Sequence, residues 1–95
     1  SNLPGTFASI AGGLMFLELD RAKAVTEACH KYISNRLLGG DQVPTRENME
    51  TLADALTGVD YYLESMEEQK PIGDGVLEVA EESMNALGFP VSKVA

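Results

Sequence analysis

Ninety-five residues supply one domain's worth of chain, enough for a single hydrophobic core. A hydrophobic content of 44% excludes a disordered tail, and aromatics at only 6%, with no Trp, leave aliphatics and Met to fill the core. A formal charge of −8, from 15 acidic and 7 basic residues, argues against nucleic acid and against an anionic membrane surface as partners, because both need clustered Lys and Arg.

The lone cysteine, Cys29, cannot form an internal disulfide, so no oxidising compartment is implied. No apolar run approaches the roughly 18 residues that span a bilayer. The start also lacks the basic-then-apolar pattern of a signal peptide. Ser1-Asn2 reads as residue left by tag cleavage, residues 1–5 as a flexible start, and 6–92 as one domain excised from a larger cytoplasmic protein.

Four apolar stripes of helical period follow in chain order. The first, Phe7, Ile10, Leu14 and Leu17, is spaced 3, 4 and 3 and predicts a helix over 6–17, with Thr6 as its N-cap. Gly12-Gly13 in its middle either admits a close neighbour or marks a bend. Asp20 then caps a second predicted helix, 20–38, whose stripe is Val25, Cys29, Tyr32, Ile33 and Leu37. Gly39-Gly40-Asp41 ends it. Whether these two helices are separate or continuous through Glu18-Leu19-Asp20 is left open by the sequence.

The third helix, 45–69, opens on Thr45 as N-cap after Pro44. Met49, Leu52, Leu56, Val59, Leu63 and Met66 repeat in steps of 3 and 4, a heptad seam suited to shallow packing in a bundle. Leu56 lies at the centre of that seam, so Leu56→Ala is expected to cost about 2–5 kcal/mol. The fourth helix, 74–87, is capped by Asp74, carries Leu77, Ala80, Met84 and Leu87, and stops at Gly88 and Pro90. The expected fold is all-α, an up-and-down four-helix bundle.

Chemistry is sparse. His30 follows Cys29, but adjacent helical residues point about 100° apart, and no further N or S ligands are at hand, so neither metal nor other cofactor is expected. Asp60, Glu64 and Glu68 make a negative ridge on the third helix. A solvated ridge lacks the two differing carboxylate environments that acid–base catalysis needs, but it could meet a basic protein. Tyr61 and Tyr62 either anchor a protein interface or cover the bundle's edge with hydroxyls in water.

The stretch Ala8-Ser9-Ile10-Ala11-Gly12-Gly13, followed by Leu14-Met15-Phe16-Leu17, resembles the phosphorylation helix of histidine phosphotransfer (HPt) domains, which reads His-x-Leu-Lys-Gly-Ser. Aligning Gly12 with the motif's glycine puts Ile10 at its leucine, Ala11 at its lysine and Ala8 at its phospho-accepting histidine. The run from Leu52 to Glu64, with Asp54-Ala55-Leu56 and Val59-Asp60-Tyr61-Tyr62-Leu63-Glu64, resembles the degenerate HPt-like modules of type IV pilus chemosensory hybrid histidine kinases and of a related scaffold protein of the twitching-motility pathway.

That resemblance implies an HPt-like bundle without its chemistry. Alanine offers no nucleophile, and the loss of the lysine removes the charge that would stabilise a phosphoryl group. The expected role is a non-catalytic spacer, dimer contact or docking platform. Its partners would be other domains of the parent chain, itself a kinase or scaffold, or other signalling proteins, with Gly12, Gly13, Asp60, Tyr61, Tyr62 and Glu64 as the candidate contact residues. Two alternatives stand beside it: an active phosphotransfer domain using His30, and a free-standing bundle that self-associates through Gly12-Gly13.

Overall fold

A computed structural model describes the backbone of residues 3–40, 43–70 and 75–91, and side chains from Glu18 onward within those ranges. The described residues are all-helical: α1 (Leu3–Tyr32), a π-helical continuation (Ile33–Leu38), α2 (Arg46–Glu67) and α3 (Val76–Ala86).

Where two helices were expected, α1 is one, 30 residues long. It begins at Leu3, so Thr6 lies inside it and is not its cap, and it runs without a break through Glu18-Leu19-Asp20. The physical reason is simple. Asp20 is exposed, and an exposed Asp inside a helix costs only about half a kcal/mol relative to Ala, too little to force a stop. The four expected helices therefore become three α-helices among the described residues. Gly39 and Gly40 do end the first element: a Cβ on Gly40 would lie 2.5 Å from the Arg36 carbonyl oxygen, which only glycine tolerates.

Thr45 caps α2 as expected, its hydroxyl accepting from the Asn48 amide at 3.0 Å. Both later helices close with paired reverse hydrogen bonds. At α3, the Phe89 amide donates to the Met84 carbonyl and the Gly88 amide to that of Asn85, with Gly88 at φ +85°. At α2, the Lys70 amide donates to the Ser65 carbonyl and the Gln69 amide to that of Met66, with Gln69 at φ +56° in the position glycine usually takes. The first turn of α3 follows Gly75, at φ +82°; Asp74, its expected cap, lies outside the described residues.

The core has two parts. Val25, Ala28, Cys29 and Tyr32 of α1 meet Leu52, Ala55 and Val59 of α2 and Ala80 and Met84 of α3. Further along, Ala22, Tyr62 and Leu77 join, with Leu19, Met66 and Val76 packed around them. Residue numbers rise along α1 as they fall along α2, and α3 reverses again, so the helices run up, down and up. Phe89 closes one end, its ring edge-on to Tyr32 at 5.4 Å between centroids, with the Arg36 guanidinium 5.6 Å above it.

Close approach of α2 and α3 sets the rotation of α2. A Cβ at Gly58 would lie 3.2 Å from both the Ala80 Cβ and the Val76 carbonyl oxygen. That contact draws Ala55, Tyr62 and Ser65 inward beside Leu52 and Val59, and it leaves Met49, Leu56 and Leu63 exposed. The buried face is thus turned about 70° from the expected seam, at 100° per residue. A bulky side chain at Gly58 must push α3 away. Gly58→Leu should cost about 1–3 kcal/mol in urea melts, whereas Gly58→Ala, which gains helix propensity, should stay within about 1 kcal/mol.

Candidate functional site

The surface that distinguishes this chain lies on α2. Its six acidic residues and single Arg46 leave the helix strongly negative. Asp60, Glu64, Glu67 and Glu68 are all exposed, as the expected ridge requires. Arg46 reaches Glu50 at 3.4 Å and Lys70 reaches Glu68 at 2.9 Å. Among the described residues, Asp60, Glu64 and Glu67 take part in no ion pair.

The two tyrosines separate as neighbours on a helix must. Tyr61 is exposed, whereas Tyr62 is only 1% exposed, packed with Ala22 and Leu77. Tyr62 is therefore a core residue and not an interface anchor. Burial pushes its phenol above the ordinary tyrosine range, and Glu18 adds to that shift.

Beside the ridge runs an apolar stripe that sequence reasoning had assigned to the core. Met49 is 40% exposed, Leu56 43% and Leu63 48%, each one heptad from the next. The signal for it was present, since two apolar heptad series, 49/56/63 and 52/59/66, lie side by side on one helix. Only the second faces α1 and α3.

On α1, Cys29 and His30 diverge. Cys29 is buried with its Sγ donating to the Met84 Sδ at 3.6 Å, and desolvation raises its thiol pKa, so the nucleophilic thiolate is disfavoured. His30 is exposed. Arg21 pairs with Glu81 of α3, and hydrogen bonding to that carboxylate holds the guanidinium pKa above its ordinary value. Both side chains keep about a third of their surface in water, so the pair adds at most about 1 kcal/mol. Ala8, Ala11, Gly12 and Gly13 lie on the unbroken helix α1, and their side-chain surroundings fall outside the described residues.

A cleft of about 510 Å³ opens at the end of the bundle between Tyr32, Arg36, Thr45, Asn48 and Leu87. Among the described residues no group of three or more His, Cys, Asp and Glu side chains could hold a metal ion. None of the described helices is long and apolar enough to cross a membrane.

Fold and surface together define a small, acidic, all-helical unit with an exposed apolar stripe beside a negative ridge. Residues 1–84 match the model of the FimL C-terminal domain, and the chain belongs to that family. The chain is 41% identical, over 93 residues, to the scaffold protein FimL of Pseudomonas aeruginosa; the alignment covers 97% of this chain and 16% of that protein's length. No solved structure matches it.

Proposed function

We propose that this chain is a non-catalytic, HPt-like interaction module of a cytoplasmic scaffold protein in a type IV pilus chemosensory pathway, without the phospho-accepting histidine. The observation that carries this reading is the family match over residues 1–84. The 41% identity to a protein named as a scaffold favours a scaffold parent over a kinase parent. The resemblance to HPt domains adds that alanine stands at position 8, where the reactive histidine would be, and at position 11, where the lysine would be.

The segment from Leu52 to Glu64, which carries the more particular half of that resemblance, contributes Leu52, Ala55, Val59 and Tyr62 to the core. That half of the resemblance therefore draws on core positions and exposed positions alike. What the same segment leaves outside, Asp60, Tyr61 and Glu64, can touch a neighbour but has no environment that would tune it for catalysis.

The competing reading is phosphotransfer through His30, the one exposed imidazole. Incubating the chain with a phosphorylated receiver domain carrying a labelled phosphoryl group tests both. No acid-labile label should transfer to the chain. Stable label on His30, lost in His30→Gln, would overturn the interaction-module reading.

A further inference from the structure

Resting on the interaction-module reading, we infer that the Met49–Leu56–Leu63 stripe of α2 docks a basic amphipathic helix of another polypeptide. Isolated exposed Leu residues are normal on any protein surface. These three are not scattered: they repeat every seven residues along one edge of one helix, over about 21 Å. An unbroken heptad edge is the pattern that a second helix, crossing at about 20°, fills with its own apolar side chains.

The chain's own helices leave this edge open. Gly58 marks where α3 packs on α2, and the stripe lies roughly 140–180° around the helix from it. α1 covers the face between, through Leu52 and Val59. No described helix stands on the far side.

Charge selects the chemistry of the occupant. Asp60 sits between Leu56 and Leu63, one turn from each, and Glu67 lies one turn beyond Leu63; Glu64 borders the same edge toward solvent. All three are exposed and without an ion pair among the described residues. In helix pairs, flanking charges set the choice of partner, so an acidic rim asks for Lys and Arg beside the partner's apolar seam. A second copy of this chain would bring the same carboxylates against these, on a molecule already at −8. Like-charge contact disfavours that occupant.

Two synthetic three-heptad helices with the same Leu seam, one flanked by Lys and one by Glu, serve as probes, with binding to the 95-residue chain read by fluorescence anisotropy. The Lys-flanked peptide should bind with a Kd in the micromolar range, and at least about tenfold more tightly than the Glu-flanked one. Added salt should weaken its binding. The double variant Leu56→Gln/Leu63→Gln should lose at least about tenfold, while Val79→Gln, an exposed apolar residue of α3, should bind as the parent does.

Equal binding of the two peptides, or unaltered binding by the double variant, would overturn the inference. So would a dimer in sedimentation that the double variant dissociates, because the occupant would then be a second copy. Failure of the peptides beside a clean phosphotransfer result removes the docking surface alone. Label on His30 removes the underlying reading whatever the peptides do.

Discussion

Replacing Tyr62 with alanine should cost about 3–5 kcal/mol of folding stability, the largest loss expected from any single change in α2. The ring is nearly fully buried where α1, α2 and α3 meet, against Ala22 and Leu77, with Leu19, Met66 and Val76 packed around them. Its neighbours are too small or too firmly held by their helices to refill the space, so both the transfer and the cavity contributions are felt. Small single domains hold only about 5–15 kcal/mol in total, so this variant should lose a large share of its stability. Leu56→Ala, six residues away on the exposed edge, should cost less than about 1 kcal/mol. Urea denaturation followed by far-UV circular dichroism measures both. Equal losses would mean that α2 is rotated to bury Leu56, as the heptad pattern alone suggests.

The contrast between those two residues shows how far the sequence could be read. Helical period, the Thr45 cap, the Gly88 stop and the α3 stripe of Leu77, Ala80 and Met84 are local properties, set by spacing and backbone chemistry, and each stands in the structure as expected. Which side of α2 faces inward is not local. It depends on a glycine opposite an alanine, Gly58 against Ala80, and small residues carry little weight in a search for apolar stripes. Ala55 and Ser65 carry equally weak apolar signals, yet close helix packing buries both. The join at Glu18-Leu19-Asp20 is open in the sequence for a different reason: a residue that can cap a helix can also sit exposed inside one, as Asp20 does in α1. For the candidate surface, the acidic ridge was legible residue by residue. The apolar stripe beside it was visible only as half of a seam wrongly assigned to the interior.

A second large effect is expected at Met84, where no surface is left exposed. Met84 is the residue of α3 that reaches the first core, beside Ala80, and its Sδ accepts from the Cys29 Sγ of α1. At 11 residues, α3 is shorter than helices that hold their form alone in water, so its helicity depends on what it packs against. Met84→Ala should therefore cost about 2–5 kcal/mol, whereas Met84→Leu, which keeps the volume, should cost less than about 1.5 kcal/mol. The alanine variant should also lose amide hydrogen-exchange protection first in α3, before α1 and α2, because the closing hydrogen bond from Phe89 to the Met84 carbonyl is held in place by the same packing. Uniform loss of protection along the chain would mean instead that the three helices open as one unit. In that case α3 would be as integral to the bundle as the longer pair, and the spacing of α2 from it, set at Gly58, would govern the stability of the whole.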